Sequence, residues 1–66
     1  MSFVIYVNGQ RDYYSGKTYT HQGETFPCVC KRDEAKRYKS KKIADNVAKT
    51  LDRKCDEDFD VQEIED

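Results

Sequence analysis

The chain reads as one α+β domain with element order β-β-β-α-β: a four-stranded mixed sheet, spatial order 3-2-1-4, with one helix packed on one face. Three observations lead there. The β-branched and aromatic run "SFVIYV" stops at Asn8-Gly9, a strong hairpin signal. Ile43, Val47 and Leu51 recur every fourth residue, with Ala44 and Ala48 beside them, which is the apolar stripe of a helix. The chain then returns to strand composition in "DFDVQEI". A length of 66 residues allows a single domain over residues 1–66 and a single core.

The first strand, residues 2–7, places Phe3, Ile5 and Val7 on one face and Val4 and Tyr6 on the other. Both faces are apolar, so this strand belongs in the middle of the sheet. "DYYSGKTYT" is the returning strand, where Gly16 permits a bulge or bend. "HQGE" is the next turn, and "TFPCVC" is a third strand that Pro27, lacking an N–H, assigns to an edge. "RDEAKRY" reads as an irregular turn in which Ala35 and Tyr38 pack down. Ser40 is the expected N-cap of a helix over residues 41–54. Lys49, Arg53 and Lys54 complement the negative end of its dipole. The last strand turns Phe59 and Val61 inward. As a neighbour of strand one after a right-handed crossover, it is expected to run parallel to it.

So short a chain buries about 60% of its unfolded surface. It can coat one sheet face and one helix stripe but cannot also wall a deep pocket, so the expectation is that it is not an enzyme. The only histidine, His21, falls in a turn with no companion nucleophile, and the three glycines are turn glycines rather than a phosphate loop. His21, Cys28, Cys30 and Cys55 would suffice in number for zinc. However, "CVC" separates two thiols by one residue, where a zinc knuckle uses two to four. The thiols read as small core fillers, and no metal or cofactor is expected. Three cysteines without an export signal or a membrane-length apolar run point to a cytoplasmic protein with reduced thiols.

A net charge of −1 conceals a dipole. Residues 31–54 carry ten basic and four acidic side chains, whereas residues 55–66 carry seven acidic and none basic. The basic run "KRDEAKRYKSKK" contains Lys36, Arg37, Lys39, Lys41 and Lys42 with Tyr38 interleaved. Phosphate contact with base stacking uses that combination. Tyr38, three residues after Ala35, reads instead as a core plug, and for the lysines a solvated surface is an equal reading. The acidic run has three readings: a charged edge strand that blocks aggregation, a partner for the basic run of the same or a neighbouring chain, or a mimic of nucleic-acid charge. Tyr6, Tyr13, Tyr14 and Tyr19 add amphipathic contact surface. If the helix covers the Phe3, Ile5 and Val7 face, Val4 and Tyr6 are left for a partner or a second copy to cover.

The sequence "AKRYKSKKIADNVAKTL" between a strand-rich start and a terminal strand resembles the layout of small accessory proteins of bacteriophages and prophages. The resemblance implies a cytoplasmic binding protein that inhibits or modulates a host protein by occupying its surface. The expected contact residues, read from the uncovered face and the charge dipole, are Tyr6, Tyr13, Tyr14, Asp56, Glu57, Asp58 and Asp60. The expected partner is a host protein or, as a homodimer, a second copy. The alternative is an accessory protein that binds nucleic acid through Lys36, Arg37, Lys39, Lys41 and Lys42.

Overall fold

In the computed structural model, residues 1–55 and 57–65 are described. The strands are β1 (Ser2–Val7), β2 (Asp12–His21), β3 (Glu24–Cys30) and β4 (Phe59–Ile64), with α1 (Lys41–Lys54) before β4 and a 3-10 turn at Arg32–Glu34. The sheet order is β3-β2-β1-β4, which puts the doubly apolar β1 in the interior, as its composition requires.

The sheet is antiparallel throughout, not mixed. β4 pairs β1 antiparallel from Ser2↔Ile64 to Val7↔Phe59. The reason lies in the segment between β3 and α1. A parallel β4 would need α1 to be the leg that returns the chain. That leg is already made by residues 35–38, which run back along β1. Phe3 and Tyr38 exchange both backbone hydrogen bonds, at 2.9 and 2.8 Å, and the Lys36 N–H donates to the Tyr14 carbonyl at 3.1 Å. The helix therefore starts beside the beginning of β1 and ends beside its end, and β4 enters in the opposite sense.

This return segment fits because β1 and β2 pair only at Tyr6↔Tyr13 and Val7↔Asp12. Beyond Tyr14 the β2–β3 register shifts and β2 splays away. Gly16, at φ 99°, sits at the bend, where a Cβ would lie 3.3 Å from the Lys36 stem. A larger residue there would be strained and would crowd the inserted segment.

The two hairpins close differently. Gln22 and Gly23 both have positive φ, 51° and 81°, the left-handed pair that matches strand twist in a two-residue turn. Asn8-Gly9 forms no such turn. A four-residue loop, Asn8 to Arg11, joins β1 to β2, with both the Gln10 and Arg11 N–H groups donating to the Val7 carbonyl. Arg11 takes the left-handed position at φ 57°. Gly9 is needed for a different reason: a Cβ there would stand 3.1 Å from a Glu57 carboxylate oxygen.

Two apolar layers flank the sheet. Under α1, Ile5, Val7, Tyr14, Leu51 and Cys55 are buried together, with Val47, Ala48, Phe59 and Val61 against them. On the far face Val4, Ala35 and Ile64 form a second cluster with Tyr13 and Cys30. Ser40 caps α1, its hydroxyl accepting from the Lys42 N–H at 3.2 Å. The helix face presented to the sheet is Ala44, Val47, Ala48, Leu51 and Cys55. Ile43 is 51% exposed while Ala44 is fully buried, so the stripe is rotated from the one centred on Ile43. Close approach of helix to sheet requires the small alanine at the contact and leaves the isoleucine on the flank.

Candidate functional site

The residues expected to contact a partner separate into three groups. Tyr6 and Tyr13 meet across β1 and β2 on the face away from α1, ring centroids 5.1 Å apart and planes at 67°. That edge-to-face arrangement suits the aromatic quadrupole. Both are half-buried, and the Tyr13 hydroxyl donates to Gln62 Oε1 at 3.1 Å, which fixes the ring over the neighbouring strands. Asp60, the β4 partner of Tyr6, continues the same row and accepts from Asn8 Nδ2 at 2.8 Å.

Tyr14 belongs to the opposite face. It is 7% exposed beneath α1, and burial, followed by the charges of Cys55 and Cys28, raises its pKa above the usual phenol value. It cannot touch a partner there. Alternation along β2 forces this result, since Tyr13 and Tyr14 are adjacent and must point to opposite faces.

The acidic segment is fastened to the β1–β2 loop. Glu57 Oε1 accepts from Gln10 Nε2 at 3.0 Å, and the Asp58 carbonyl accepts from the Asn8 N–H at 3.1 Å. Glu57 Oε2 is buried and has no hydrogen-bond partner among the described residues. Asp58 and Asp60 are exposed. Asp56 lies outside the described residues.

The far face is also smaller than expected. Val4 is not open to solvent: it is fully buried beneath Ala35 and Ile64, with Tyr13 and Cys30 alongside. The chain seals the Val4 end of this face with its own return segment, so the open part includes the row of Tyr13, Tyr6 and Asp60.

Lys36, Arg37, Lys39, Lys41 and Lys42 are all exposed. Lys41 and Lys42 lie in the first turn of α1, which holds no acidic residue. Tyr38 is half-buried and packs against the helix-side core, and burial, followed by the charge of Tyr14, raises its pKa. It is a plug rather than a stacking platform. The motif from Ala35 to Ala48 is thus largely architectural: Ala35 closes the far face, Tyr38 the near one, Ser40 caps, and Ala44 admits the sheet.

Cys55 is buried and Cys28 and Cys30 are half-buried, all as free thiols. Burial raises the pKa of Cys55, with Glu57 adding to the shift and Lys54 opposing it. Burial also raises Cys30, reinforced by Glu34 and Asp12. Raised thiols are poor nucleophiles at neutral pH. Among the described residues no three His, Cys, Asp or Glu side chains are grouped to hold a metal ion, and no helix is long and apolar enough to cross a membrane.

An open cleft of about 580 Å³ lies between α1, β4 and the Asn8 loop. Ala48 and Phe59 lie in it with Asp52, Asp58 and Asp60 around them. No sequence signal marks it, because residues 8, 48, 52 and 58–60 come together only when the loop folds onto β4. The sequence matches no family model, and no curated protein or solved structure matches it.

Proposed function

We propose that the protein is a small non-enzymatic binding module that occupies a basic patch on the surface of another protein. The observation that carries this reading is the Tyr6–Tyr13 pair, held edge to face and half-exposed, with the Asp60 carboxylate next in the row. Aromatic side chains with fixed rotamers lose little entropy on docking and are enriched in interfaces. Acidic neighbours speed association with a basic partner and select for it. The resemblance of the chain's layout, a strand-rich start, then residues 35–51, then a terminal strand, to phage and prophage accessory proteins supports a cytoplasmic target in a host, inhibited or modulated by occupation of its surface.

The test is affinity capture from a host lysate followed by calorimetry on the protein retained. Tyr6→Ala and Asp60→Lys are expected to weaken binding at least tenfold, while Lys39→Glu leaves it unchanged. A retained protein that binds both variants as tightly as the parent chain refutes the assignment.

A second reading, nucleic-acid binding, rests on the exposure of Lys36, Arg37, Lys39, Lys41 and Lys42 around a helix start free of acidic side chains. Phosphate contacts predict retardation in a gel that fades steeply with salt. Absence of retardation at low salt dismisses it.

A further inference from the structure

The two flanks of α1 are complementary in charge, and of the Tyr6 row only Asp60 reaches either of them, at the edge of the cleft. On one flank Ile43 stands 51% exposed. Exposed Lys39 and Lys42 precede it in the chain, and Asp45, two positions on, is half-buried. On the other flank is the open cleft of about 580 Å³, in which apolar Ala48 and Phe59 lie among the carboxylates of Asp52, Asp58 and Asp60, with Lys49 the one cation among the described lining residues. A helix turns about 100° per residue, so Ile43 and Asp52, nine positions apart, face about 180° away from each other. The knob and the cleft cannot meet within one chain.

We propose that the cleft receives a second copy of this chain. Ile43 of one copy seats on Ala48 and Phe59 of the next, while Lys39 and Lys42 lie against Asp52 and Asp58. The knob supplies the apolar tip and positive rim that the cleft lacks, and the cleft supplies the apolar floor and negative rim. Because the two surfaces lie on opposite flanks, a closed two-fold dimer cannot satisfy both. The contact is heterologous, joining copies head to tail into short chains or a ring. Much of the attraction is between exposed charges, so it acts over roughly 30 Å in 0.01 M salt and roughly 3 Å in 1 M salt.

Sedimentation equilibrium on the full chain tests this. At low salt the average mass is expected to rise with concentration above that of one chain, and at high salt to return to it. Lys39→Glu with Lys42→Glu, and separately Asp52→Lys with Asp58→Lys, alter exposed positions only and should each sediment as a single chain. Mixed in equal amounts they should associate again, since the intact knob of one meets the intact cleft of the other and the two reversed rims are once more opposite in charge. Ile43→Ser should weaken association about tenfold, as expected when an apolar tip no longer gains burial. A parent chain that stays single at every concentration in low salt overturns the proposal. So does association that survives both charge reversals, or a variant mixture that fails to pair.

Discussion

From Gly16 to Glu24 every side chain of the β2–β3 arm is exposed, whereas in β1 Val4, Ile5 and Val7 have no exposure at all. Both belong to one antiparallel sheet and both are rich in aromatic or β-branched residues. What differs is the layering. β1 has α1 on one side and the Ala35 turn on the other, while the arm beyond the bulge has no layer over its outer face. Its apolar content is concentrated in one cross-strand pair, Tyr19 and Phe26, stacked with centroids 5.4 Å apart. A strand gains its stability from what covers it, and alternation alone does not supply a cover.

The contrast can be broken most severely in the body. Ile5→Ala should cost about 2–5 kcal/mol, the usual range for a fully buried aliphatic side chain. That is a large part of the total for so small a domain, and urea denaturation would read it. A loss below about 1 kcal/mol would mean that β1 is not the load carrier.

Ala44→Leu should cost about 1–3 kcal/mol by overpacking the helix–sheet contact. Its neighbour Ile43, changed to Ala, should stay within about 0.5 kcal/mol of the parent. Equal effects at the two positions would restore the stripe centred on Ile43.

In the arm, Tyr19→Ala should remove about 0.5–1.5 kcal/mol of pair energy. It should speed amide exchange locally, from Lys17 to Phe26, without altering exchange in β1. If β1 amides accelerate equally, arm and body unfold as one unit.

The mildest effect near neutral pH is alkaline. Cys55, Cys30, Tyr14 and Tyr38 all have raised pKa values in the fold. Their protonated forms are favoured by folding, so their contribution is complete below the ordinary thiol value of 9.0. It is lost as pH rises through the thiol range and then past the ordinary phenol value of 10.0 toward the raised folded values. Urea midpoints should therefore be level from neutrality to about pH 8 and fall above it. Tyr38→Phe should lessen the fall, and an unchanged slope would place the loss in other groups.

Much of the candidate site was legible in the residues. Tyr6 and Tyr13 share the outer face as alternation and pairing require, and the lysines of residues 36–42 are exposed. Three features were not legible, each for a physical reason. Tyr14, expected beside Tyr13 as a contact residue, is buried on the helix side because adjacent residues on a strand face opposite ways. Ile43, the most hydrophobic residue of the expected stripe, lies on the flank because the helix approaches the sheet through the smaller Ala44. Val4 is covered because residues 35–38 cross back between β1 and β2, which nothing local in the sequence announces.

Element type, the Ser40 cap and the Gln22-Gly23 turn follow from short-range rules, in which each residue's preference depends on neighbours a few positions away, and the interior place of β1 follows from its two apolar faces. The direction of β4, the sealing of the far face and the cleft beside α1 depend on the contact of Phe3 with Tyr38 and of Asn8 with the segment before β4. Such contacts join residues 35 or more positions apart. Their formation depends on whether β2 splays far enough to admit a backbone, which is a property of the assembled sheet rather than of any stretch of the chain.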